Sequence, residues 1–117
     1  MKKFFRSFRY AWNGIAIAVR DQQNLKVQSA IAATAIGAGF YFEITPSEWC
    51  FVLLSIGLVM GLEMVNSAIE NVVDLVTRDH HPLAANAKDI AAGAVLFAAV
   101  LAVIVGVLIF YKYLFSV

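Results

Sequence analysis

Inside a long apolar stretch, residues 63–74 read E-M-V-N-S-A-I-E-N-V-V-D, which places Glu63, Asn66, Ser67, Glu70 and Asp74 where lipid-facing residues would be expected. Offsets of three, four, seven and eleven residues return to nearly the same angle on a 3.6-residue helix, so the five polar side chains form one narrow stripe. Val65, Ile69, Val72 and Val73 cover the other sides. Ionisable groups at membrane depth face a protein interior or a polar cavity, and they are candidates for a functional site. A helix of this kind needs other helices around it.

The rest of the chain provides them. With 117 residues, 62% hydrophobic and 15% charged, it is too apolar for an ordinary soluble domain and long enough for one unit, residues 1–117. The fold class is all-α membrane protein. Three apolar segments, 24–42, 47–76 and 83–113, are each long enough at 1.5 Å per residue to cross a hydrocarbon core of about 30 Å. Thr45 or Ser47 caps the second segment around Pro46, and His81 before Pro82 marks the start of the third. Ahead of them, residues 1–23 form an amphipathic surface helix: Phe4, Phe5, Phe8, Ala11, Trp12, Ile15 and Val19 share one arc, opposite Lys2, Lys3, Arg6, Arg9 and Arg20. Tyr10 and Ile17 fall within the basic arc, so that side is expected to meet protein or ligand as well.

Charge sets orientation and excludes some partners. Six of the nine basic residues lie in the first 26 positions, and no aromatic-basic platform accompanies them, which points to an anionic membrane surface and away from nucleic acid. No continuous apolar core follows the first charges, so a cleaved signal peptide is not expected. The connection E-I-T-P-S-E lacks Lys and Arg, whereas T-R-D-H-H-P contains Arg78 and precedes Lys88. The positive-inside rule then makes the N-terminus and the second connection cytoplasmic. Cys50 is the single cysteine, which rules out an intrachain disulfide framework, and His80 and His81 read as solvated loop residues. Gly57 and Gly61 form a G-x-x-x-G away from the polar stripe, a pattern that permits close helix packing in lipid.

Counted from Ser47, Glu63 lies about 24 Å along its helix and Glu70 about 35 Å, toward the cytoplasmic end. Lys88 and Asp89 begin the next helix at a similar depth. Phosphoryl transfer needs a divalent metal on the phosphate oxygens, a cation for developing charge and a base for a hydroxyl proton. Glu70 suits Mg2+, Lys88 a phosphate, and the deeper Glu63 the base, while Asn66 can orient substrate or metal-bound water. The same stripe could instead line an ion or proton path through an oligomeric pore, and spacing alone does not separate an enzyme from a transport or structural module.

The run E-M-V-N-S-A-I-E-N-V-V-D, with F-R-Y-A-W-N-G-I upstream and A-K-D-I-A-A-G-A-V-L downstream, resembles the prokaryotic diacylglycerol kinase family, which includes the undecaprenol kinases. The resemblance covers nearly the whole chain. It implies a homotrimer of surface helix plus three transmembrane helices in the bacterial cytoplasmic membrane, with active sites at subunit interfaces facing the cytosol. It implies ATP and Mg2+ as co-substrate and cofactor, and a membrane lipid alcohol as acceptor. On that basis Glu63 is the general base; Asn66, Ser67 and Asp74 line the substrate; and Lys3, Tyr10, Gln22, Glu70, Asp79, His80, His81, Lys88 and Asp89 contact ATP. Glu70 and Gln22 fall at metal-binding positions. Gln22 is a departure, since well-known members carry Glu there, and Asp21 points about 100° away from it. The opening F-F-R-S-F-R-Y-A-W-N-G-I looks more like undecaprenol kinases of Gram-positive and related bacteria, which leans the substrate toward undecaprenol over diacylglycerol.

Overall fold

A computed structural model describes residues 1–115, which form four helices: α1 (Lys2–Asp21), α2 (Gln23–Phe42), α3 (Pro46–Val76) and α4 (Pro82–Leu114). Helix starts follow local chemistry. Thr45, rather than Ser47, caps α3: its Oγ1 accepts from the Glu48 N–H at 3.2 Å, while the Glu48 carboxylate accepts from the Thr45 N–H at 2.9 Å. Pro46 occupies the first turn, where its missing N–H costs nothing. His81 does the same for α4, its Nδ1 accepting from the Leu83 N–H at 3.1 Å ahead of Pro82.

α2 ends at Glu43, which takes a left-handed conformation (φ 52°, ψ 54°) although it is not glycine. The Ile44 N–H then reaches back to the Gly39 carbonyl at 3.1 Å, and the Ile44 side chain turns inward to 6% exposure. Ile44, Val52 and Ile109 form a small core between α2, α3 and α4, with Phe42, Trp49 and Tyr113 packed around it. Gly39 is required there: a Cβ would lie 2.6 and 2.8 Å from two Trp49 ring atoms.

α3 and α4 make the most extensive helix pair, and polar contacts tie both of its ends. At one end Glu48 accepts from the Tyr113 hydroxyl at 2.6 Å and pairs with Lys112 at 2.8 Å. At the other, Lys88 pairs with Asp74 at 2.6 Å.

Burial is inverted relative to a soluble protein. Among the described residues the buried polar groups are Glu63, Asn66 and Ser67, whereas Leu54, Phe97 and Leu108 are 71%, 70% and 73% exposed. The apolar exterior and the polar interior belong to a membrane protein. Two helices, α3 and α4, are long and apolar enough to span a bilayer. The sequence led us to expect a third span over 24–42. α2 has the length, but Gln23, Asn24, Lys26, Gln28 and Ser29 dilute its first two turns. α1 is amphipathic, as expected, and buries no residue within the chain.

Candidate active site

The polar stripe of α3 does face inward. Glu63 is 3% exposed and Asn66 and Ser67 are each 7% exposed. The Ser67 hydroxyl donates to the Glu63 carbonyl one turn back, at 3.0 Å. That bond engages the serine and leaves the Glu63 carboxylate with no hydrogen bond from the described residues. One turn on, the Asn66 Nδ2 donates to Glu70 Oε1 at 3.4 Å, which sets the amide so that Oδ1 is an acceptor. Asn66 Oδ1 is buried without a partner among the described residues, and so is Gln28 Oε1 on α2. A buried acceptor without a donor is costly in isolation, and each of the two marks a place where a hydroxyl or a bound water would be stabilised.

Where the stripe reaches the end of α3 it opens onto a cleft of about 390 Å³ between the last turn of α3, the connecting loop and the first turns of α4. Asp74, Asp79, His80, His81, Lys88 and Asp89 line it, together with Arg78 and Thr77. Thr77 braces the loop through bonds with the Asp79 backbone, and α4 directs the positive end of its dipole here. Lys88 is held by Asp74 with both side chains partly exposed, which places its ammonium over the α3–α4 gap.

Gln22 sits at the break between α1 and α2 in extended backbone (φ −103°, ψ 113°), half-buried. It closes both helices through its backbone and makes no side-chain capping bond, so the amide is uncommitted. Asp21 grips Arg20 with both oxygens, at 2.8 and 3.1 Å. The Arg20 guanidinium holds the Asp21 carboxyl below its ordinary range, and Asp21 raises Arg20 in return. Lys3 and Tyr10 are exposed on α1, and no hydrogen bond or ion pair among the described residues joins them to the stripe. Nor do three His, Cys, Asp or Glu side chains among the described residues converge on a metal position. Thus one chain brings Glu63, Asn66, Ser67 and Glu70 into one line, and Asp74, Asp79, His80, His81, Lys88 and Asp89 around the cleft at its end. No hydrogen bond or ion pair among the described residues joins the side chains of Lys3, Tyr10 and Gln22 to them.

Two residues escaped the sequence reading. Gln28 lies three residues after Leu25 and four before Ala32, both buried, so helical spacing already put it on the inner face of α2. Arg78 was read only as a topology charge, and its loop was the clue that it borders the cleft.

Sequence comparison settles the class. The prokaryotic diacylglycerol kinase family matches residues 9–110. The chain belongs to this family. It is therefore a lipid kinase. Undecaprenol kinase of Bacillus subtilis (strain 168) is 44% identical over 110 residues, covering 94% of this chain and 89% of that protein. Diacylglycerol kinase of Synechocystis is 45% identical over 101 residues, covering 86% of this chain but 58% of the relative. Diacylglycerol kinase of Escherichia coli (strain K12) is 29% identical over 102 residues, 87% of this chain and 84% of its own. Family membership removes the pore and the purely structural module as readings of the stripe.

Proposed function

We propose that this chain transfers the γ-phosphoryl group of ATP to the primary hydroxyl of undecaprenol, at the cytosolic surface of the bacterial cytoplasmic membrane, as a homotrimer. One observation carries the reading: a line of polar groups runs along α3 from the buried Glu63 to the charged, open cleft beside Lys88. A lipid alcohol can present its hydroxyl at the buried end from the membrane side. A polyphosphate can enter the charged end from water.

In this scheme Glu63 takes the hydroxyl proton as the oxygen bonds to the γ-phosphorus and the bond to the ADP oxygen breaks. Asn66 orients the hydroxyl or a water with its free Oδ1, and Ser67 and Asp74 complete the lining. Lys88 faces the phosphates with Asp89, Asp79, His80 and His81 around it. Mg2+ takes one or two carboxylates together with substrate phosphates and retained waters, and an Asn-oriented carboxylate at Glu70 fits that donor set, with Gln22 as a weaker oxygen donor. The metal would neutralise phosphate charge.

The trimer accounts for what a single chain leaves open. α1 is unburied, and Cβ atoms at Gly57 and Gly61 would meet nothing within 4 Å. Packing of α1 and α3 on neighbouring copies would bring Lys3, Tyr10 and Gln22 toward a stripe. In this arrangement α2 is the third membrane-embedded helix, its polar start lying at the cytosolic interface.

The substrate leans on the N-terminal opening and on the 44% identity extending over 94% of the chain. The Synechocystis relative supports diacylglycerol as the second reading. Purified protein in mixed micelles with ATP and Mg2+, given each alcohol in turn, distinguishes them. We expect kcat/KM at least tenfold higher for undecaprenol. A reversed ratio replaces the substrate, and no ATP-dependent phosphorylation of either alcohol overturns the proposal.

A further inference from the structure

The cleft that would receive the nucleotide carries three carboxylates, Asp74, Asp79 and Asp89, against two permanent cations, Arg78 and Lys88. Such a site repels a polyphosphate unless its cations are available to face it. Lys88 shares its charge with Asp74, its Nζ 2.6 Å from Oδ1, and faces a phosphate only in part. The ion pairs among the described residues are Arg20–Asp21, Asp74–Lys88 and Glu48–Lys112, and Arg78 takes part in none of them. Its side chain forms no hydrogen bond with the described residues either, which leaves its five guanidinium donors available to a ligand at the rim.

From this geometry we infer that Arg78 is a nucleotide-binding residue: its guanidinium grips the ATP polyphosphate from the α3–α4 loop, opposite Lys88. The inference rests on the kinase reading of the cleft. Three features support it beyond charge. The planar fork of Arg matches two phosphate oxygens at once, which the single ammonium of Lys88 does not. The loop is braced by the Thr77–Asp79 bonds, so the Arg78 backbone is fixed while its side chain is free to swing over the cleft. Finally, α4 starts across the cleft, and the positive end of its dipole favours an anion between the two walls. Arg78 does not approach the buried Glu63 end of the stripe, so it acts on nucleotide affinity and not on the lipid hydroxyl.

The test compares Arg78→Gln and Arg78→Lys with wild type, in the full-length protein reconstituted in mixed micelles. KM for ATP, KM for the lipid alcohol, kcat, and the inhibition constant of ADP competing with ATP are measured for each. Arg78→Gln is expected to raise KM for ATP and the ADP constant together, about three- to tenfold, with kcat and the lipid KM within about twofold of wild type. Arg78→Lys retains the charge without the fork and should fall between the two. Unchanged KM for ATP in an active Arg78→Gln enzyme overturns the inference. So does a defect that follows the anionic-lipid content of the micelles and leaves ATP affinity alone, since Arg78 would then be an anchor to headgroups. Absence of ATP-dependent activity in wild type refutes the kinase mechanism itself and is seen before any variant is compared.

Discussion

Replacing Glu63 by Gln separates chemistry from stability, because the rate should fall while the fold is kept. The substitution keeps the shape of a side chain that is 3% exposed, so packing is preserved. It removes the proton acceptor. Loss of a positioned base costs about 10²- to 10⁴-fold in rate, which is about 3–5 kcal/mol of barrier at 1.36 kcal/mol per tenfold. Folding responds differently: no described residue donates a hydrogen bond to the carboxylate, so an amide of similar size gives up no bond there. Glu63→Gln should therefore be at least as thermally stable as wild type in detergent, with KM for ATP within about twofold and kcat down at least a hundredfold. Turnover is read as ATP-dependent lipid phosphorylation and stability as the apparent Tm. A folded variant with turnover within about tenfold of wild type would remove Glu63 from the role of base.

Three further outcomes are expected. Gln22→Glu should lower the Mg2+ concentration giving half-maximal activity, because a carboxylate binds Mg2+ better than an amide, while Asp21→Asn should leave it unchanged because Asp21 is engaged with Arg20; superimposable Mg2+ titrations for all three proteins place position 22 away from the metal. Cysteines at Ser47 and Thr77 in a Cys50→Ala background should label from the external and cytosolic sides respectively, and reversed labelling would separate the site from cellular ATP. Gly39→Ala drives a methyl to within 2.6 Å of the Trp49 ring and should destabilise by about 1–3 kcal/mol in a thermal melt, whereas Gly37→Ala, which meets nothing within 4 Å, should not.

Helix boundaries were legible to within about two residues, and best for α3 and α4, because they are written in local chemistry: Pro46 and Pro82 start these helices, and Thr45 and His81 cap them. The inward stripe was legible for a related reason, since an offset of seven residues from Glu63 to Glu70 fixes an angle on any α-helix. Contacts between helices were not. The Asp74–Lys88 pair depends on how α4 is rotated and shifted against α3, which no single-helix periodicity contains. The same holds for Tyr113 reaching Glu48 across 65 positions, and for Trp49 lying where Gly39 leaves room. Gln28 carries no charge to set it apart, although its place between Leu25 and Ala32 puts it on the inner face of α2. Tyr10 and Lys3 pose a different problem: α1 touches too little of its own chain for their partners to be fixed by it.

Tied at both ends, by Glu48 with Lys112 and Tyr113 and by Asp74 with Lys88, α3 and α4 behave as a strut of set length. At 31 and 33 residues they measure about 46 and 50 Å, well beyond a hydrocarbon core of about 30 Å. Such a strut meets a thicker or thinner bilayer by leaning, because sliding one helix past the other would break a tie at each end. A lean of about 20° shortens the vertical reach of α3 by about 3 Å. Glu63 would move by part of that distance relative to the headgroups, on the scale of a hydrogen bond. The acyl length of the host membrane therefore becomes a control on how well a lipid hydroxyl meets its base, and turnover should peak at one bilayer thickness and fall on either side.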